Sequence, residues 1–221
     1  MAKKRVLFLV GGRSGEHEIS LISGKNVLAA LDRNLFEPLL VIIQKNGEMT
    51  YGNEKDLAQL PKNPKLVKTP VGTPISIRPY PLKNAKPAIL VGSDVHEFDI
   101  AFPILHGPGG EDGTIQGLFE LAQIPVVGCG VKASAVCMDK GMTKRLCVQA
   151  NLPVIPFIEV HRGEKLGKLP WELPVFVKPA RLGSSLGVSK VKNPADLERA
   201  VNEALALDEK ILIEPAIVGR E

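Results

Sequence analysis

Cysteine, aromatic residues and a surplus of either charge are scarce in this chain, and each scarcity removes a class of protein. Its three cysteines, Cys129, Cys137 and Cys147, are odd in number and lack C-x-x-C spacing, which argues against a disulfide scaffold or a thiolate zinc site. Their apolar or small neighbours predict buried free thiols in a reducing compartment, hence a cytosolic protein. Aromatics make up 5% of residues, and 28 lysines and arginines against 24 acids leave a formal charge of +4. With no basic run interleaved with aromatics, nothing points to DNA or RNA as a partner. Long hydrophobic runs are missing as well. The apolar run at residues 6–10 stops at Gly11-Gly12, short of the roughly 7–15 residues of a signal-peptide core, and no other segment approaches the ~20 residues of a membrane span. What is present, 44% hydrophobic residues in a chain of 221, suffices for a substantial core in one or two domains.

The order of apolar runs predicts an α/β architecture. VLFLV at residues 6–10 reads as a parallel strand covered on both faces. Ile19, Ile22, Val27, Leu28 and Leu31 then recur at near-helical spacing, and PLLVII at residues 38–43 completes a β-α-β unit. Residues 44–92, rich in Pro, Lys, Asn and Gly, read as a connection with short strands. A strand at residues 99–105 follows, then a helix carrying Ile115, Leu118, Phe119 and Ala122, and a fourth short strand at residues 125–128. A domain boundary is expected near residues 128–130, where this alternation ends. Beyond it the sequence predicts two helical stretches, the second with Met142, Leu146 and Ala150 as its stripe, and a strand at residues 154–160. A hairpin and a helix with Asn193 as N-cap and Pro194 at its first position come next. That helix has Leu197, Ala200, Val201, Ala204 and Leu205 on its apolar face, and a strand at residues 210–214 follows.

The hairpin, VFVKPARLGSSLGVSKV at residues 175–191, is the most informative stretch: two apolar strands joined by a glycine-hydroxyl loop with Lys178 at its start. Alternation resumes after Gly187, so the loop returns into a strand and closes over a ligand instead of cradling it at a helix N-terminus. Lys178 would place an ammonium against phosphate oxygens while Gly183, Ser184, Ser185 and Gly187 let backbone amides approach them; the alternative is a flexible turn. Two other loops lie where a strand hands over to a helix, the crevice end of an open α/β sheet. In GGRSGEHE at residues 11–18, Glu16 either faces the crevice to pair with a substrate ammonium or, like Glu18, is a first-turn acid favoured by the helix dipole. In LHGPGGEDGTIQ at residues 105–116, His106 is either structural or, held in one tautomer with Glu111 nearby, lends a positive edge to a bound carboxylate. Lys140 is a candidate second ammonium for phosphates or else a solvated lysine. Glu214 and Glu221 are suited to accept from an adenine amino group and ribose hydroxyls, and Phe176 is placed either on the base or in the core.

The ordered set GGRSGEHEISL, LHGPGGEDGTIQG, MDK, VFVKPARLGSSLGVSKV and ILIEPAIVGRE resembles the D-alanine–D-alanine ligases of the ATP-grasp superfamily over nearly the whole chain. The resemblance implies an N-terminal open parallel-sheet (pre-ATP-grasp) α/β domain that binds substrate, residues 1–129. It further implies a central α+β ATP-grasp subdomain, residues 130–214, and the start of a C-terminal ATP-grasp subdomain at residues 215–221. Its reaction is ATP-dependent ligation of two D-alanines through an acylphosphate, for peptidoglycan precursors in the cytoplasm. Carried onto this sequence, it puts Glu16 on the ammonium of the first D-alanine, Ser184 in a link with Glu16, and His106 near that substrate's carboxylate. Lys140 and Lys178 then bind ATP phosphates, with Gly183, Ser184, Ser185 and Gly187 in the phosphate loop. Phe176, Glu214 and the backbone of Ala216 and Ile217 meet adenine, and Glu221 the ribose. Pro215 replaces a lysine found in several members, which rules out a lysine contact there.

The family's ligands for two magnesium or manganese ions fall beyond Glu221, as do the contacts for the second substrate. The chain is therefore expected to lack the C-terminal ATP-grasp subdomain and to hold no metal ligand. By itself it is expected to show no dipeptide synthesis and only weak nucleotide binding. A homodimer through the N-terminal domain is also expected. The alternatives are another ATP-grasp carboxylate ligase, including one that makes D-alanyl-D-lactate, and a non-catalytic nucleotide- or amino-acid-binding protein.

Overall fold

The computed structural model describes residues 2–78 and 85–219, which fall into two compact units, Met1–Ala135 and Val136–Glu221. The first is organised around β1 (Lys4–Gly11), whose last six residues are all buried. Successive side chains of a strand point to opposite faces, so this unbroken apolar run feeds two cores at once. Leu7 and Leu9 enter one cluster and Val6, Phe8 and Val10 the other. Helix α1 (His17–Ala30) covers the second face through Leu21 and Leu28. Each fully buried side chain of this size contributes roughly 1.5–3 kcal/mol. Gly24 lets α1 settle on the strand, because a Cβ there would lie 2.3 Å from Val10 Cγ1.

Strand β2 (Phe36–Ile43) runs parallel to β1 in a full eight-residue register. The segment read as a loose connection belongs to the same sheet. It contains β3 (Met49–Tyr51), a short helix α2 (Glu54–Ala58), β4 (Thr73–Ile77) and β5 (Ala88–Val91); β6 (Asp94–Glu97) follows it, before β7 (Ile100–Pro103) returns to pair parallel with β1. The order is β6-β5-β4-β3-β2-β1-β7. Parallel pairing is confined to β2-β1-β7, and the other four strands extend the sheet by antiparallel pairing. Helix α3 (Thr114–Leu121) closes the opposite face with Ile115 and Phe119. Of the strand expected at residues 125–128, a single bridge between Ala101 and Val126 forms.

Helix α4 (Val131–Met138) carries the boundary between the units. The second unit opens with α5 (Lys140–Gln149), capped by the Asp139 side chain, which accepts from the Met142 amide. Its sheet has the order β10-β9-β11-β8, antiparallel throughout, with β8 (Ile158–His161), β9 (Val175–Pro179), β10 (Ser189–Val191) and β11 (Lys210–Pro215). Strand β8 is shorter than expected because Pro153 and Pro156 supply no amide to a ladder. A 3₁₀ turn at Pro194–Asp196 precedes α6 (Leu197–Leu207), so Asn193 stands at the N-cap position of that turn instead of the α-helix, without a capping bond from its side chain. Ala200, Val201 and Ala204 of α6 pack against Val175, Val177, Ile211 and Ile213.

Two expectations about packing are corrected. Met142 and Leu146 are 43% and 48% exposed: α5 turns Gly141, Lys140 and Lys144 toward the sheet, whose facing surface is charged. Cys129 and Cys137 are exposed and Cys147 is half-buried, because flanking apolar residues in short helices and turns do not enclose them.

Candidate functional site

In the first unit the two glycine-rich loops meet at the carboxyl ends of β1 and β7. The first turn of α1 buries polar side chains. Ser20 Oγ accepts from the Gly11 amide (2.8 Å) and donates to the Ile104 carbonyl. The fully buried His17 ring bonds the Gly12 carbonyl (2.7 Å) through Nδ1 and Thr69 Oγ1 (2.8 Å) through Nε2. Since a carbonyl only accepts, Nδ1 is the donor to Gly12.

Glu16 is half-buried at the N-cap of α1. Ser14 ties it to the second loop: its hydroxyl accepts from the Glu16 amide (3.1 Å) and donates to the His106 carbonyl (2.6 Å). Glu16 Oε2 lies 2.8 Å from where a Cβ on Gly107 would stand, so the carboxylate sits against the second loop. Glu16 and His106 are thus brought together. Glu18 pairs with Lys45, which holds its carboxyl below the usual glutamate value.

His106 is oriented by Ser23, whose Oγ lies 3.1 Å from Nε2, and not by Glu111. Glu111 instead accepts from the Gly107 amide at 2.7 Å, closing the loop on itself. A cleft of about 210 Å³ opens beside His106 and Gly12, with Leu105, Ile115 and Met49 among its walls.

In the second unit the predicted nucleotide residues gather on the sheet face opposite α6. Register places Phe176 beside Glu214 and Lys178 beside Leu212, and residues directly opposite one another share a face. Glu214 is 4% exposed. Lys178 Nζ reaches its Oε2 at 2.6 Å, and Lys144 Nζ approaches Oε1 to 3.0 Å without hydrogen-bond geometry, so that oxygen remains a buried acceptor without a hydrogen-bond partner among the described residues. Lys190 lies 5.4 Å from the centroid of the half-buried Phe176 ring, which places Phe176 outside the α6-side core.

Lys140 reaches the loop after β9 by donating to the Leu182 carbonyl. Burial, reinforced by the charge of Lys178, pushes its ammonium below the ordinary lysine value. Within the loop Ser184, Ser185 and Gly187 have φ of 49°, 58° and 71°, a run of left-handed residues that turns the chain back within nine residues. The Leu186 and Val188 amides are used within this turn, donating to the Gly183 and Ser185 carbonyls at 3.0 and 3.2 Å. Ala216 donates its amide to the Pro174 carbonyl and Ile217 is 59% exposed. Glu221 lies outside the described residues.

Asp208 is a loop anchor that sequence reading missed. One carboxylate oxygen accepts from the Arg181 amide (2.8 Å), the other from Arg181 Nε (3.0 Å) and Nη2. Burial alone would raise its pKa, but the Arg181 side chain and the Arg181 and Lys210 amides outweigh it and hold it below the usual aspartate value. A lowered pKa contributes stability above the unfolded value, lost as pH falls through the folded one. Asp208→Asn is therefore expected to destabilise this unit by about 1.5–3 kcal/mol at pH 7. The gap to the wild type should narrow below about pH 4. Urea midpoints across pH check this, and a gap that stays constant down to pH 2 refutes it.

Ser23 and Lys144 were also missed. Each sits one or two helical turns from a predicted residue, Ser23 from Glu16 and Lys144 from Lys140, and that spacing on one helix face was the available signal. Among the described residues no group of three or more His, Cys, Asp or Glu is placed to hold a metal ion. Among the described residues no helix is long and apolar enough to cross a membrane.

One unit thus carries a carboxylate at its crevice, and in the other Lys178 of β9 and Glu214 of β11 share a sheet face, an arrangement that fits the fold of the ATP-grasp ligases. Residues 5–129 match the model of the D-Ala D-Ala ligase N-terminus and residues 146–221 that of the C-terminus. The chain belongs to the D-alanine–D-alanine ligase family. It is 41% identical over its whole length to D-alanine–D-alanine ligase A of Chromobacterium violaceum, covering 62% of that protein, and 45% identical over 98% of its length to the ligase of Corynebacterium aurimucosum, again covering 62%. The D-alanine–D-alanine ligase structure from Coxiella burnetii superposes with a TM-score of 0.86 at 32% identity, over all of this chain and 63% of that one. A D-Ala:D-Ser ligase from Enterococcus faecalis gives 0.79 at 30%, over 99% of this chain and 64% of that one. The chain thus spans about 62% of the length of these curated relatives.

Proposed function

We propose that this chain takes part in ATP-dependent ligation of two D-alanines to D-alanyl-D-alanine, a step of peptidoglycan precursor synthesis in the cytoplasm. The observation that carries the reading is the buried Glu214 carboxylate held between Lys178 and Lys144 and beside Phe176, with Lys178 on the strand that leads into a loop containing left-handed residues. It offers a planar base a ring to lie on and an exocyclic amine a buried acceptor, while phosphates would meet the ammonium groups of Lys178 and Lys140. Family membership and the relatives' names supply the reaction.

A carboxylate oxygen of the first D-alanine attacks the γ-phosphorus, and the bond from that phosphorus to the β–γ bridging oxygen breaks to release ADP. The amine of the second D-alanine then attacks the acyl carbon, loses a proton, and displaces phosphate. In this reading Glu16 binds the first ammonium, His106 stands near that substrate's carboxylate, and Lys140, Lys178 and the Gly183, Ser184, Ser185 and Gly187 loop hold the phosphates. Glu214 and the backbone of Ala216 and Ile217 meet the base, and Glu221 the ribose. Magnesium or manganese, when bound, neutralises phosphate charge.

A homodimer through the first unit belongs to the same proposal, since α3 leaves Leu118 and Leu121 exposed; sedimentation velocity reads it. The reaction is tested by supplying ATP, D-alanine and hydroxylamine at the relatives' full length. D-alanine hydroxamate and D-alanine-dependent ADP release are expected, and ADP release indifferent to D-alanine overturns the reading. D-lactate or D-serine in place of the second D-alanine distinguishes the related ligases.

A further inference from the structure

The two lysines on Glu214 are not equivalent. Lys144 is held from three directions: it donates to the Ile155 carbonyl at 2.9 Å, lies 5.4 Å from the Phe157 ring centroid, and stands 3.0 Å from Glu214 Oε1. Lys178 makes one polar contact among the described residues, with Glu214 Oε2. Glu214 is only 4% exposed, with Lys178 on Oε2 and Lys144 beside Oε1, and moving one of these ammonium groups away opens the oxygen it holds to a ligand amine. The lysine tethered once costs least to release. Removing both would leave a buried carboxylate without a counter-ion, which is strongly unfavourable.

We propose that Lys144 is the fixed counter-ion of Glu214, a positioning residue that keeps this carboxylate in place while Lys178 exchanges from Oε2 to a nucleotide phosphate. The exocyclic amine of the base takes the vacated position. Phosphate capture and base recognition are thereby coupled, because the phosphates draw away the ammonium that otherwise covers the base acceptor. Lys144 then discriminates between bases indirectly: with the Glu214 carboxyl oxygens held in place as acceptors, an amino group is welcomed and a carbonyl in its place is not. This inference rests on the nucleotide reading of the sheet face.

The test has two arms. NMR of the chain with its lysine ammonium groups isotopically labelled is followed during titration with inorganic triphosphate and with ATP, a method that reads weak affinities. The Lys178 signal is expected to shift while that of Lys144 stays. If Lys140 and the loop amides respond but Lys178 remains on Glu214, the nucleotide reading stands and the exchange is refuted; if nothing on this face responds, both fall.

In the second arm Lys144→Met is expected to lower the preference for ATP over ITP, which carries a carbonyl where adenine has its amine, about tenfold. Lys144→Arg should restore it. An equal loss for both nucleotides would show a merely structural role and overturn the assignment. A wild-type chain that binds both equally would remove the role of Glu214 in base recognition, and with it the specificity assigned to Lys144.

Discussion

Replacing Lys178 with alanine is expected to slow acylphosphate formation roughly 10²–10³-fold, the cost of removing one preorganised charge from a phosphoryl-transfer site. The ammonium is positioned before any ligand arrives, at 2.6 Å from Glu214 on a strand whose neighbours Val175 and Val177 are fully buried. Little reorganisation is therefore needed when the phosphate replaces the carboxylate as its partner. Because Lys144 stays beside Glu214 in the variant, the base side of the site keeps a counter-ion. Hydroxylamine trapping at the relatives' full length, compared with equilibrium ATP binding, separates the two effects. Wild-type rates of hydroxamate formation in Lys178→Ala would remove the lysine from phosphate chemistry.

The second large effect is expected from Glu16→Gln, which keeps the shape of the side chain and removes its charge. A charge-assisted contact to an ammonium is worth about 1.5–3 kcal/mol, so the apparent affinity for the first D-alanine should fall roughly 10–100-fold. The Ser14 hydroxyl bonds the Glu16 backbone amide and not its carboxylate, and α1 begins directly after it. The substitution therefore leaves the local backbone anchored. Steady-state kinetics with each substrate varied in turn provide the check. An unchanged KM for the first D-alanine, or a matching loss for ATP, would contradict the assignment.

The elements that could be read locally are those whose evidence is contained in a few neighbouring residues. Strands β1 and β2 announce themselves as continuous apolar runs, and α6 by its Leu197, Ala200, Val201 and Ala204 spacing. The hairpin around the phosphate loop is legible for the same reason: alternation before and after a glycine-hydroxyl turn fixes β9 against β10. Misreadings occurred where local pattern and burial part company. Ile19 fits a helical apolar period yet is 42% exposed, whereas His17 and Ser20 are fully buried. Backbone groups at strand ends need hydrogen-bond partners, and that demand outweighs the hydrophobic period in the first turn of α1. The same conflict exposes Met142 and Leu146 on α5, whose lysines serve a charged sheet face.

By itself, then, the sequence determined the α/β alternation, the two glycine-rich loops and the lysine-led hairpin, because apolar period, glycine and proline act over a few residues. Tertiary structure alone decided which charges meet. Ser23 finds His106 across 83 positions, Lys210 finds Asp139 across 71, and Lys178 finds Glu214 across 36. Only strand register and helix placement bring such groups within the few ångströms over which a hydrogen bond or buried ion pair is strong. Register likewise decided that strands β3 to β6 extend one sheet in antiparallel order, since a three-residue strand such as β3 carries too little pattern to name its neighbour.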